Sequence, residues 1–327
     1  MSNKFVSIPS KHVEILIIGA GLAGLSAAST LVSQGREVLV LDKGRGVGGR
    51  LAGRQIDGAN FDHGAQFMTA RNPRFIAQVE RWVATGVATE WYRSHSGQPT
   101  SHARWRGVPN MREIAKQLAA NIDIILACRV ETLYESGGLW CVETDDARTI
   151  EAQEVLLTAP VPQSLALLNS GNIALTVAQR KRLQQIDYDA CIAVMALLDG
   201  PSHMPPPGAL VPDHPDINWI GDNQQKGVSA LPAITLHAAA DFSARHFDAP
   251  RDQVGEQLIN MAHPWVGARV KHFQVHGWRY SKPKQVDIEP CMVVKAQPTL
   301  VLAGDAFAGP RVEGAVLSGW AAADQFL

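Results

Sequence analysis

The chain has 327 residues, more than one hydrophobic core usually organises, so two closely joined domains are expected. Its 30 basic and 31 acidic residues give a net charge of -1, which excludes the basic footprint of a nucleic-acid-binding protein; 46% hydrophobic against 19% charged residues is an ordinary globular balance. The four cysteines, Cys128, Cys141, Cys191 and Cys291, show neither CxxC nor CxxxxC spacing and read as reduced thiols in a cytoplasmic protein.

In chain order, the apolar run 13–18, broken only by Glu14, reads as a parallel strand covered on both faces. A glycine turn and a helix follow. Its small residues Ala23, Gly24, Ala27 and Ala28 allow close approach to a sheet, Gly35 ends it, and residues 37–41 form the next strand of a βαβ unit. The stretch 15–32 has the length of a membrane span, but Gly19, Gly21 and Gly24 break it and no basic region directly precedes it, so no membrane association is expected. Next come a Gly/Arg-rich loop over 43–54, a short segment 61–66 and a helix from 73 to about 87. Residues 105–109, a helix over 111–120, a strand over 122–127 and a meander of 129–134 and 139–144, closed by 155–159, follow. From 160 to about 285, Pro-rich turns separate strands near 191–198, 218–221 and 233–237, with a helix around 253–262. Residues 299–303 and 314–326 read as a last strand and helix, and no internal repeat occurs.

Gly19-Ala20-Gly21-Leu22-Ala23-Gly24 matches GxGxxG between predicted strand and helix, with Asp42 eighteen residues beyond the last glycine. Gly19 permits the turn, Gly21 admits a pyrophosphate to the backbone and Gly24 permits close packing. The helix start at Leu22 and Ala23 stabilises phosphate charge, and Asp42, next to Lys43, would accept from ribose hydroxyls. A second loop, Gly44-Arg45-Gly46-Val47-Gly48-Gly49-Arg50, resembles the RxGGR stretch of amine-oxidase-like flavoproteins. Gly49 and its neighbour would form an anion nest, with Arg45 and Arg50 adding charge, which narrows "dinucleotide" to FAD. Near the C-terminus a buried strand runs into Gly304-Asp305; the resemblance to this flavoprotein class implies that the aspartate binds the ribityl chain, unless it is only a helix cap. The helix opening at Val312, Gly314 and Ala315 would face the flavin N1/O2 edge. Val130 would supply a main-chain contact to adenine by similarity to related folds.

The expected fold class is therefore α/β: a Rossmann-type FAD-binding domain, a parallel sheet with a β-meander, interleaved with an α+β substrate domain built on an antiparallel sheet. The first would take residues 1–70, 103–160 and 288–327, the second 71–102 and 161–287.

Asp62-His63-Gly64-Ala65-Gln66-Phe67, Thr158-Ala159-Pro160-Val161-Pro162, Tyr188-Asp189-Ala190, Ile234-Thr235-Leu236-His237, Trp278-Arg279 and Gly304-Asp305-Ala306-Phe307 resemble the renalase family from about residue 13 to the end. The resemblance implies noncovalent FAD, with Gly64, Ala65 and Gln66 among its contacts. It also implies oxidation of 2- or 6-dihydro isomers of NAD(P)H to NAD(P)+, with O2 as acceptor and H2O2 as product. Phe67 departs from the tyrosine of the family's animal members, so no role needing a phenol hydroxyl transfers there. Gln66, His237, Trp278 and Arg279 are the candidates for the substrate side. A dihydropyridine becomes aromatic on losing hydride and needs no base, which suits a chain with no HExxH, no metal-ligand cluster among its eleven histidines and no evident Ser/His/Asp triad. No metal, nucleic acid or obligate protein partner is implied. Two alternatives stay open: a flavin amine oxidase, with Lys282 or Lys284 as its lysine and only 6% aromatic residues to build a cage, and a redox-silent FAD module.

Overall fold

A computed structural model describes residues 11–95 and 98–327, which divide into two compact units. The first takes the chain up to Gly49, then Leu118–Asp187 and Gln285–Leu327; the second takes Arg50–Gln117 and Tyr188–Lys284.

In the first unit an eight-stranded sheet runs Met292–Ala296, Thr299–Leu302, Thr149–Leu157, Lys11–Ile18, Val38–Leu41, Asp123–Ile125. The four pairings from Thr299–Leu302 to Asp123–Ile125 are parallel, and the meander Val130–Ser136 and Leu139–Thr144 joins antiparallel to the outer half of Thr149–Leu157. Lys11–Ile18 is central because it is apolar on both faces. Ile15, Leu16 and Ile17 are fully buried, each contributing about 2 kcal/mol of burial. Its register pairs Ile18 with Leu41 and with Leu157, and Leu157 pairs with Leu302. The loops after all these strands therefore leave the sheet at one edge, bringing Gly19, Asp42, Thr158 and Gly304 together. Helices Leu22–Ser33 and Val312–Ala323 pack on each other, and a Cβ on Gly319 would collide with the Ala23 carbonyl.

The second unit is built on a five-stranded antiparallel sheet in the order Ala209–Leu210, Ile217–Asp222, Ala233–Ala238, Tyr188–Leu198, Val270–Pro283. Strand alternation gives it two different faces. Ile192, Val194, Ala196, Ile220, Ile234 and Leu236 bury themselves under helices Ala240–His246, Arg251–Met261 and His263–Val266. The opposite face carries Trp219, Thr235, His237, His276 and Trp278, and one end of it is covered by the hairpin Gly53–Ile56 and Ala59–Asp62. There Ile56, Ala59 and Phe61 meet Met195, Leu197 and Ala233.

These packings move the expected domain limits. Residues 50–70 and 103–117 fall in the second unit, because the first hairpin rests on its sheet and Gln98–Gly107 pairs with Ala88–His95. Residues 161–187 fall in the first, where helix Val161–Ser170 packs on Val130–Ser136. The first ten residues of the expected assignment lie outside the described ones. The four cysteines are free, and among the described residues no helix is long and apolar enough to cross a membrane.

Candidate active site

In the first unit the glycine positions have the geometry a dinucleotide requires. Gly19 has φ 119°, and a Cβ on Gly24 would run into its carbonyl oxygen, so strand and helix approach as closely as backbone allows. A Cβ on Gly21 would meet nothing within 4 Å, which leaves that side open for a phosphate. The N-terminus of Leu22–Ser33 has no side-chain cap, and neither has that of Val312–Ala323, so first-turn N–H groups at Leu22, Ala23, Val312 and Gly314 point out of uncapped helices, whereas Ala315 N already donates to Arg311 O. Asp42 joins the two glycine loops: Oδ2 accepts from Ala20 N at 2.6 Å and Oδ1 from Gly44 N at 2.6 Å, and each oxygen retains a lone pair for a ribose hydroxyl. Gly48 N donates to Ala20 O, which ties the second glycine loop to the first, and Gly48 and Gly49 both have positive φ, a backbone course that favours glycine. Cys128 N bonds Asp42 O, which brings the start of Val130–Ser136, and Val130 with it, beside Asp42. Lys43 bonds Gln163, while Arg45 is exposed. Asp305 is buried, and the cap of its short helix Asp305–Ala308 is Gly304, so its carboxylate is not the cap. The donor set fits FAD.

Arg50, Gly64, Ala65 and Gln66 belong to the second unit. Ala65 N donates to Arg50 O, a Cβ on Gly64 would collide with that same carbonyl, and the Arg50 guanidinium donates to the carbonyls of Tyr280 and Ser281. Gln66 is buried, with Nε2 donating to Asp62 O at 2.7 Å and Gly64 O at 3.2 Å.

On the sheet face opposite the helices, the His63 carbonyl collects two donors, Trp278 Nε1 at 3.0 Å and His237 Nε2 at 3.2 Å, which fixes the His237 tautomer. The His63 ring stacks on Trp278 at 5.3 Å and meets His276 edge-on at 5.0 Å. Burial pushes all three imidazoles down, His63 to about 3 and His237 and His276 to about 4. His276 and Arg54 add to the effect at His63, Lys226 at His237, and Arg54 and Arg251 at His276. All three are neutral at neutral pH. Behind them lies a fully buried ion pair, Lys226 Nζ to Asp62 Oδ2 at 2.8 Å, with Nζ also 4.9 Å from the Trp91 ring. Phe67, Trp91, Tyr92 and Trp219 form an aromatic group beside it, and Arg104 lies over Phe67 and Tyr92.

Gln66, His237 and Trp278 are thus brought together; Arg279 is not. Trp278 and its neighbour alternate across the strand, so Arg279 points to the helical face, where it pairs with Asp248 at 3.1 Å and lies 4.3 Å from the Phe247 ring centroid. Its expected place on the substrate side is corrected accordingly. The buried lysine of this unit is Lys226, while Lys282 is exposed. His63 and Asp62 lie inside the Asp-His-Gly-Ala-Gln-Phe motif of residues 62–67, which by itself gives no signal of their roles. His276 shares a face with Trp278 by a spacing of two, a signal available once that segment is known to be a strand.

Residues 17–82 match the NAD(P)-binding Rossmann-like domain family, and residues 89–327 match the flavin containing amine oxidoreductase family. Renalase of Mus musculus is 23% identical over 330 residues, covering 93% of this chain and 96% of that protein. Putrescine oxidase of Kocuria rosea is 40% identical over 67 residues, 20% of this chain and 14% of that one. A structure of putrescine oxidase bound to putrescine superposes with a TM-score of 0.73 at 14% identity, covering 97% and 99% of the two chains, a likeness of fold. With that likeness, the cradle geometry and a family match over residues 89–327, the chain belongs to the flavin containing amine oxidoreductase family as a renalase-like, FAD-dependent oxidoreductase that holds its flavin noncovalently.

Proposed function

We propose that this enzyme oxidises 2- or 6-dihydro isomers of NAD(P)H, dinucleotides whose reacting dihydronicotinamide ring is flat, to NAD(P)+ with O2 as the final acceptor. Bound FAD would supply the hydride acceptor, N5, and return the electrons to O2 as H2O2. Gly19, Gly21, Gly24, Asp42, Gly304 and Asp305 would hold it, Asp305 through the ribityl chain.

The observation that carries the reading is the group His63, His237, His276 and Trp278. Its flat rings suit stacking against a dihydropyridine, and Gln66 lies in the same segment as His63. A dihydropyridine loses hydride and becomes aromatic without giving up a proton, so imidazoles held neutral are sufficient. An amine arrives as an ammonium ion and must lose a proton before oxidation, and bases with pKa values of about 3 and 4 are too weak to assist at neutral pH. The likeness to renalase over nearly the full length of both chains supports the same choice.

Oxidation of a small amine is the second reading, favoured by the aromatic group Phe67, Trp91, Tyr92 and Trp219, which could receive a cation. Arg104 and Lys226 of the chain itself already lie over three of those rings, which weighs against it. Anaerobic mixing of the holoenzyme with each candidate, followed by flavin absorbance, separates the two. Bleaching by dihydro-NAD isomers alone is expected, and bleaching by amines alone would reverse the assignment.

A further inference from the structure

Asp305 sits between two residues whose backbone groups are held by a single stretch of chain. Gly304, at φ 142° and ψ -177°, is in a conformation essentially reserved for glycine, and its N–H donates to Ser318 Oγ at 2.8 Å. The Ser318 hydroxyl donates in turn to Pro290 O at 2.6 Å, while Ala306 O accepts from Asp287 N at 2.6 Å. That stretch is itself anchored. The buried Asp287 carboxylate pairs with Arg182, Nε to Oδ2 at 2.9 Å, and Oδ1 accepts from Glu289 N at 3.0 Å. Ser318 is fully buried in an apolar helix, where a hydroxyl is tolerated only if its hydrogen bonds are made, and here it both donates and accepts.

We propose that residues 287–290 form a strap which, with Ser318 as relay, positions Asp305 for the ribityl chain of FAD; this rests on the reading of Asp305 as a cofactor contact. Ser318 and Asp287 are positioning residues, acting through Gly304 on one side of the aspartate and Ala306 on the other. Removing the Ser318 hydroxyl leaves Gly304 N–H and Pro290 O unpaired and releases one side of the turn. The loss is then felt where the turn is used, in cofactor affinity.

The test is FAD titration of the apoprotein for wild type, Ser318→Ala, Asp305→Ala and the double variant, with urea unfolding of each apoprotein. Ser318→Ala is expected to raise the FAD Kd about tenfold. In the Asp305→Ala background it should add less than about twofold, since there is no carboxylate left to position. An equal effect in both backgrounds, or a loss of apoprotein stability with unchanged Kd, overturns the strap. An Asp305→Ala Kd equal to wild type removes the cofactor-contact reading itself. Should Ser318→Ala fail to fold, Arg182→Gln, at a side chain 34% exposed, releases Asp287 and enters the same cycle, where additivity with Asp305→Ala is again the refuting result.

Discussion

Replacing Lys226 by methionine probes whether the buried ion pair holds the segment that carries His63 and Gln66. Both side chains are 0% exposed and 2.8 Å apart, and Asp62 Oδ1 also accepts from Met111 N at 2.9 Å. The Asp62 backbone is tied down as well, with its carbonyl accepting from Gln66 Nε2 and Thr235 Oγ1. Removing the ammonium alone leaves a carboxylate in a dry interior with one backbone donor, a loss of about 3–5 kcal/mol. Burial lowers the Lys226 pKa, and the neighbouring Asp62 only partly opposes it, so charging this lysine is itself disfavoured by the site. A neutral pair should therefore recover most of the loss: Asp62→Asn with Lys226→Met keeps the acceptor for Met111 N and is expected within about 1–2 kcal/mol of wild type. Urea unfolding of the four proteins measures this. A single Lys226→Met loss below about 1 kcal/mol, or a double variant as unstable as the sum of the singles, would refute the reasoning.

Gly24→Ala places a methyl against the Gly19 carbonyl, and the protein should purify with well under half the FAD of wild type; an undiminished ratio of visible to ultraviolet absorbance would contradict the close-packing argument. Arg279→Ala should leave the rate of anaerobic flavin reduction within about twofold, because the guanidinium faces Asp248 and Phe247, and a tenfold decrease would return it to the substrate side. The folded pKa values of about 3, 4 and 4 for His63, His237 and His276 lie below the ordinary 6.5, so the unfolded chain binds protons first as pH falls. Their contribution to stability is complete above about pH 6.5 and declines from there, for His237 and His276 towards about pH 4 and for His63 towards about pH 3. Urea midpoints between pH 7 and 5 should show this slope, reduced in His237→Gln; an identical slope in the variant would mean that this histidine is not held neutral.

The Rossmann-type strand–turn–helix of the first unit is legible in the sequence because its signals are local. Gly19, Gly21 and Gly24 are close in the chain, Asp42 follows one short helix and strand, and the apolar run around Ile15–Ile17 can only be a covered strand. The second unit depends on distant partners. Lys226, between Gln225 and Gly227, has the sequence surroundings of an exposed turn, and only Asp62, far away in the chain, explains its burial. Val270–Pro283, the longest strand among the described residues, is absent from the elements expected from the sequence. Gly277 and several basic residues interrupt it, and most of its residues are half-buried whichever face they take, so the alternation that marks a strand is absent. That omission accounts for the misplacement of Arg279. Adjacent residues of a strand point to opposite faces, so Trp278 and Arg279 can share a site only in a segment that is not a strand. Once the strand pairs Cys191 with Trp278 and Ala193 with His276, parity alone puts His276 beside Trp278 and sends Arg279 to the helices.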